Sequence, residues 1–376
     1  MRIGIDLHMV NDFMQGSRTY TYNVTRALIE IDRENDYYLY FSNKPKNIQP
    51  FLKRSNVHIK RIVPTNRAIR LPFSFPLKLA NDRIDVFHCQ YMAPPVLRTP
   101  YVVTLHDILY ERYPEFFPPF LRLFMSLFYP YCARRAAYVL TVSRYCKNSI
   151  VDVYGLPEEK VGVAYDGVSN DFRPIDNKPL IDTVKKKYGI NSKYILFVGR
   201  LEPRKNIPGL IEAFYALKKR HNIPHKLAVV GMKDFKYLEI YNTAKRLHLD
   251  EDIFFTGRVD QEDLPMIYNG ADLFVFPSFG EGFGIPPLEA MACGIPVITS
   301  NTTAFPEVVG DAGIMINPWK NKELSEAMYA VLSDASLQSK MRSKGLERSK
   351  RFSWSQTAQK ILGVYEEIYE KKLRKG

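Results

Sequence analysis

The sequence predicts an α/β protein made of two doubly wound domains, and three observations carry that expectation. Short β-rich apolar runs alternate with helical patterns from end to end, as in βαβ units built on a parallel sheet. At 376 residues the chain is longer than one hydrophobic core usually supports. A strand-then-loop plan at residues 2–16 is repeated at 194–206. The expected division is a first domain at 1–174, a second at 175–354 and a terminal helix at 355–376, with the Lys-rich stretch 174–193 as the crossing.

In the first half, RIGIDL (2–7) reads as a strand, and a loop through Asn11, Asp12 and Gly16 leads into a helix from Thr19 to about Ile31. Strand, glycine and helix start together suggest a phosphate-facing turn. YYLYFS (37–42), NVHIKRIV (56–63), DVFHCQY (85–91) and YVVTLHD (101–107) read as further strands. The ligand crevice of an open parallel sheet lies at the carboxyl ends of its strands, so His88, Gln90, His106 and Asp107 stand where chemistry is expected. FFPPFLRLFMSLFYPY (116–131) carries one charge, Arg122. Two readings stay open for it: an amphipathic helix lying in a membrane interface, or a core helix of the first domain. VLTVSRYCKNSI (139–150) is strand, Ser143 as cap, then helix.

In the second half, YILFVGRLEPRKN (194–206) ends in a loop bearing Arg200 and Lys205, with Asn206 expected to cap the next helix. Two cations on one turn can neutralise a diphosphate, and hydrogen bonds to charged groups contribute roughly 1.5–3 kcal/mol each. KLAVVGMKD (226–234) and IFFTGRV (253–259) are parallel strands, and Arg258 and Val259 stand at a strand end. Asp250, Glu251 and Asp252 precede their strand, so they read as solvent-facing charge and no metal is called for.

Residues 273–300, LFVFPSFGEGFGIPPLEAMACGIPVITS, are the most informative stretch: strand, glycine loop, helix, strand. Gly280, Gly282 and Gly284 let a ligand approach the main chain closely. The helix start at Ile285 aims unpaired N–H groups and a positive dipole end outward, which suits phosphate. Glu281 and Glu289 would repel a phosphate and are better suited to accept hydrogen bonds from hydroxyls. A ligand with phosphates and many hydroxyls is a nucleotide sugar.

E-G-F-G-(x)4-E followed by A-x-x-C-G-x-P-V-I resembles the pattern of family 4 of the retaining glycosyltransferases, which have the GT-B fold. The resemblance covers nearly the whole chain and is most specific at residues 199–206 and 276–313. It implies two Rossmann-like domains facing across a cleft, with the terminal helix packing back on the first, acceptor-binding domain. The second domain would hold a nucleotide diphosphate sugar. Arg200 and Lys205 are then assigned to the pyrophosphate, with the main chain around Gly282, Phe283, Gly284 and Ile285. Glu281 would orient a donor-sugar hydroxyl, Glu289 the ribose hydroxyls, His106 the sugar's far edge, and Arg258 and Val259 the base. The catalytic set is thus His106, Glu281, Arg200 and Lys205. Gly16 is carried over as a binding residue, although Arg18 replaces the second glycine of the family's G-x-G-R-Y and Asp166 replaces the Asn of its Asn-Gly-Val. The favoured donor is GDP-mannose, with UDP-sugars as the alternative. The expected acceptor is a glycan or lipid-linked oligosaccharide in cell-surface polysaccharide synthesis. No cofactor is expected. A sugar-nucleotide epimerase and a non-catalytic nucleotide-sugar-binding protein are the rival readings.

Net charge is +13, and from Lys44 to Arg83 ten Lys or Arg face one acid, Asp82. The block suggests an anionic surface, and a lipid one fits better than nucleic acid, whose interleaved aromatics and base-reading modules are missing. A solvated basic face is the plainer alternative. No run reaches the roughly 18 apolar residues that span a bilayer. The start lacks a signal-peptide pattern, and the four cysteines have no metal-like spacing. The expected location is the cytoplasm, or the inner face of the cell membrane as a peripheral protein.

Overall fold

The computed structural model describes residues 1–11, 16–42, 51 and 54–374; Asp12 and the basic residues Lys44, Lys46 and Lys53 lie outside these. The chain forms two compact units, Met1–Gly167 with Ser353–Gly376, and Val168–Phe352.

The first unit holds a seven-stranded sheet in the order β3-β2-β1-β4-β5-β6-β7. Its strands are β1 (Arg2–Asp6), β2 (Asp36–Phe41), β3 (Val57–Arg61), β4 (Val86–Gln90), β5 (Tyr101–Thr104), β6 (Tyr138–Thr141) and β7 (Val161–Val163). All pairs are parallel, with Ile3 opposite Tyr37 on one side and Val86 on the other. One core layer takes alternate strand residues, Tyr38, Tyr40, Phe87, Cys89, Val103 and Val139, so it lies on one face of the sheet. Helices Phe75–Asn81 and Pro119–Arg135 supply Phe75, Leu79, Met125 and Tyr129 to it. The first helix, Gly16–Ile31, packs against the last, Trp354–Leu373, whose start is capped by Ser353 accepting from Gln356 N at 3.2 Å.

Helix Pro119–Arg135 buries one face and exposes another. Met125, Tyr129, Cys132 and Ala133 face the core, while Phe120, Leu123 and Leu127 are exposed. The core-helix reading therefore describes one of its faces, and the other face is exposed. Within the basic block, Arg70 is buried, its Nη1 donating to Ser42 Oγ at 2.6 Å, and Lys60 pairs with Asp82 at 3.4 Å. The block is not uniformly a solvated face.

The second unit holds a six-stranded parallel sheet in the order β10-β9-β8-β11-β12-β13. These are β8 (Tyr194–Val198), β9 (Lys226–Val230), β10 (Ile253–Gly257), β11 (Leu273–Phe276), β12 (Val297–Ser300) and β13 (Ile314–Ile316). β8 and β11 are buried along nearly all their length because helices cover both faces, which is why they read as continuous apolar runs. The order reverses between β8 and β11, and in open α/β sheets such a reversal is where ligand sites form, at the carboxyl ends of the strands.

Candidate active site

The loops that leave β8 and β11 carry the strongest sequence signals, and they meet. After β8 the chain makes a turn at Pro203–Lys205, and Asn206 enters the next helix, Ile207–His221, in the left-handed conformation. Asn206 does not cap that helix as its residue type suggests. Its Nδ2 donates to the Pro318 carbonyl at 2.7 Å.

The turn brings Lys205 Nζ to within 2.6 Å of Glu281 Oε1, while Arg204 Nη1 lies 2.9 Å from Oε2. Ser278 Oγ donates to the same Oε1 at 2.7 Å, and Glu281 N donates to Thr303 Oγ1 at 3.0 Å. Main-chain ties hold the two loops together, with Phe279 N donating to the Arg204 carbonyl at 2.9 Å and Arg204 Nη1 to the Gly280 carbonyl at 2.5 Å. Arg204 also pairs with Glu202 at 2.7 Å. Lys205 lies over the Phe276 ring, 5.0 Å from its centre.

Both members of the central pair are buried. Burial works to raise the Glu281 carboxyl, but the charges of Arg204 and Lys205 outweigh it and bring its pKa down to about 2. Glu281 is therefore ionised at neutral pH, an acceptor only. Burial pulls the Lys205 amine down, partly offset by Glu281.

Arg200, five residues before Lys205 on the same loop, pairs with Asp234, which follows β9. Gly284 has φ 100° and starts helix Ile285–Ala292, and a Cβ there would stand 3.1 Å from Phe305. Gly284→Ala is expected to destabilise by about 1–3 kcal/mol, since the left-handed backbone and the ring both oppose a side chain. An unchanged urea midpoint would contradict it. The helix's first turn contains Pro286 and Pro287, which have no N–H, so the amides of Gly284 and Ile285 are the ones this helix start can offer. Glu289, a turn inside, is buried and accepts from Tyr268 OH at 2.8 Å. Burial raises its pKa to about 7, opposed by that hydrogen bond. The two glutamates of one motif thus differ in charge behaviour because one has cations beside it and the other a phenol. Arg258 is exposed and Val259 buried just beyond β10.

His106 belongs to the first unit, just past β5. Its Nε2 meets Gln90 Oε1 at 2.7 Å, so that nitrogen carries the proton, and burial lowers its pKa to about 3. Tyr20 meets the His106 ring edge-on at 4.7 Å. His88 is a structural hydrogen-bonder instead, its two nitrogens engaged by Thr104 and by Tyr365 of the last helix. Gly16 is the exposed first residue of its helix, and a Cβ there would meet nothing within 4 Å. Arg18 donates from Nε to the Val10 carbonyl at 3.0 Å, which ties the turn to the helix.

Residues 181–348 match the family pattern described as glycosyl transferases group 1, and residues 14–172 match glycosyltransferase family 4. O-antigen chain mannosyltransferase B of Escherichia coli is 33% identical over 264 residues, covering 70% of this chain and 69% of that protein. The chain belongs to the group 1, family 4 glycosyltransferases. Serotype-specific mannosyltransferase WbdA of Escherichia coli is 33% identical over 227 residues, 60% of this chain but 28% of that longer protein. Sucrose-phosphate synthase from Thermosynechococcus elongatus superposes with a TM-score of 0.80 at 20% identity, covering 98% of this chain and 99% of that one. Anabaena Alr3699/HepE, solved with UDP and glucose, superposes with a TM-score of 0.76 at 21% identity, covering 98% and 100%. The fold of this glycosyltransferase is GT-B.

Three partners in the site were not anticipated. Arg204, between the two cations that were named, has the same charge signal as they do. Ser278 and Thr303 carry no chemistry that sequence spacing reveals; the bend of the loop after β11 turns Ser278 onto Glu281, and the meeting of that loop with the one after β12 brings Thr303.

Proposed function

We infer that this glycosyltransferase moves a hexose, with retention of anomeric configuration, from a nucleotide diphosphate sugar to a glycan or lipid-linked oligosaccharide in cell-surface polysaccharide synthesis. The observation that carries the inference is the cluster at the β8/β11 reversal, where one loop brings Arg204 and the buried Lys205 onto an ionised, buried Glu281 of the other and also carries the part-exposed Arg200. Glycosyl transfer must stabilise a diphosphate leaving with extra negative charge and a sugar turning positive at its anomeric carbon. Arg200, Lys205 and the amides of Gly284 and Ile285 meet the first need. The leaving phosphate, held this way, takes the acceptor's proton, so the protein supplies no nucleophile. Glu281 accepts a hydrogen bond from a donor-sugar hydroxyl and neutral His106 binds its far edge. Glu289 accepts from the ribose, and Arg258 and Val259 hold the base.

Mannose from GDP-mannose is the favoured donor, on the mannosyltransferase names of the relatives that share about a third of their residues. The HepE neighbour's UDP keeps UDP-sugars as the second reading. A thermal-shift panel of nucleotide sugars decides between them, because a ligand at about a hundred times its Kd stabilises by roughly 2.7 kcal/mol. GDP-mannose is expected to give the largest shift; a shift from UDP-sugars alone would refute that donor. Anomer analysis of the product tests retention, and products formed without acceptor would favour an epimerase.

His106→Ala is expected to lower kcat roughly 100-fold, as misplacing a reacting group does, with KM for the donor little changed. A KM effect alone would move His106 out of the reaction centre.

A further inference from the structure

We propose that the outer face of the first unit, formed by the apolar rows of helix Pro119–Arg135 and of residues 69–77, docks on an anionic lipid bilayer. The placement follows from the core on the other side. Phe75 and Leu79 of one helix and Met125 and Tyr129 of the other enter a single layer on one face of the sheet, so the opposite sides of both helices point outward together. There the exposed apolar side chains collect. Among the described residues, Val63, Ile69, Phe73, Leu77, Phe120, Leu121, Leu123, Leu127, Phe128 and Tyr131 are ten of the eighteen large hydrophobics left exposed, and the other eight are scattered. Phe73 is 63% exposed, Leu77 66%, Phe120 83% and Leu127 61%, values for residues that water ordinarily disfavours. Ile69, Phe73 and Leu77 recur every four residues, and Ser74 Oγ donates to the Val63 carbonyl at 3.0 Å, which joins Val63 to the row.

A helix apolar on all sides is normally buried on all sides. Pro119–Arg135 is apolar on its exposed as well as its buried side, and an exposed apolar patch of this kind marks an interaction surface. The charges choose the occupant. Arg134 and Arg135 follow Leu127 and Phe128 by seven residues, which sets two exposed cations at the end of the same outward rows. Arg122 is exposed as well, and the helix contains no acid. Across the second row, residues 54–81 also lack any acid, with Arg61 exposed and Lys78 half-buried, while Lys60 is taken up by Asp82. Phenylalanine and leucine that enter the acyl boundary, rimmed by long cations that reach back to phosphates, match an anionic bilayer. The surface is independent of which sugar and acceptor the enzyme uses.

The test is co-sedimentation of the full chain with phosphatidylcholine vesicles, with and without phosphatidylglycerol. Binding is expected only with phosphatidylglycerol, and added salt should release it. The paired substitutions Leu123→Glu with Leu127→Glu, and Phe73→Glu with Leu77→Glu, are each expected to weaken binding about tenfold or more. Because these side chains are already exposed, donor-induced thermal shifts should stay at the wild-type value, which separates lost docking from lost folding. The proposal is overturned if the wild type fails to sediment with anionic vesicles at low salt or binds neutral ones equally. It is also overturned if both paired variants bind like wild type, or if Leu123→Glu with Leu127→Glu instead converts a dimer to a monomer, which would give the face to a second copy of the chain.

Discussion

Replacing Glu281 by alanine is expected to destabilise the second unit by about 3–5 kcal/mol, the usual result of removing one partner from a buried ion pair, and to remove transfer activity. The cause lies in what is left behind. Lys205 and Arg204 stand 2.6 and 2.9 Å from this carboxylate, and without it two cations share a small volume with Glu202 as their nearby acid. The sign of the pH effect follows from the same contacts. Glu281 titrates at about 2 in the folded chain against an ordinary 4.5, so its stabilisation is present above about pH 4.5 and disappears as pH falls through 2. Urea unfolding of Glu281→Ala should therefore show its deficit at neutral pH and a smaller one near pH 3. Glu281→Gln keeps the shape and still offers an oxygen to Ser278, so it should be the milder change in stability while losing the charged acceptor for the sugar hydroxyl. Its donor Kd should move much less than its kcat. If donor affinity and kcat fall in proportion, Glu281 grips the donor generally and the sugar-hydroxyl role is wrong.

The same residue shows where sequence reading stops. Gly280, Gly282 and Gly284 around Glu281 mark a bent loop, and the apolar runs of β8 and β11 mark buried strands; both signals are local and survive in one dimension. That the loops after β8 and β11 touch depends on strand order, and nothing in residues 194–206 or 273–300 encodes that β11 pairs with β8. Once the order is known, Arg204 and Thr303 follow. Charge was legible as a count but not as an environment. Arg70 belongs to a run of cations and is nevertheless buried against Ser42. His88 and His106 occupy similar strand-end positions, yet Tyr365, 277 residues further on, engages one of them. The segment 116–131 defeated periodicity for another reason: apart from Arg122 and Ser126 it is almost wholly apolar, and so weak a polar side cannot say which half faces the core.

Glu289 gives the second large effect, of opposite sign. Its folded pKa of about 7 stands above the ordinary 4.5, so between those values the folded chain holds a proton that the unfolded chain has released. Stability in the absence of donor then falls as pH rises across that window, and above pH 7 the full cost, about 3 kcal/mol, is borne by burying a charge that Tyr268 meets with a single hydrogen bond. Glu289→Gln removes the titration and should raise the unfolding free energy at about pH 8 by that amount. His88 and His106, both held near 3 by burial, pull the other way, favouring the folded state as pH rises toward 6.5. They are common to both proteins, so the difference between wild-type and Glu289→Gln profiles isolates Glu289. Donor binding should reverse the ranking: a ribose gripped by an ionised carboxylate binds more tightly as pH rises through 7, and the glutamine variant, lacking a charged acceptor, should lose roughly 1.5–3 kcal/mol of affinity. Stability curves that run parallel for the two proteins from pH 5 to 8 would show that Glu289 does not titrate there. Unchanged donor affinity in the variant would remove it from the ribose.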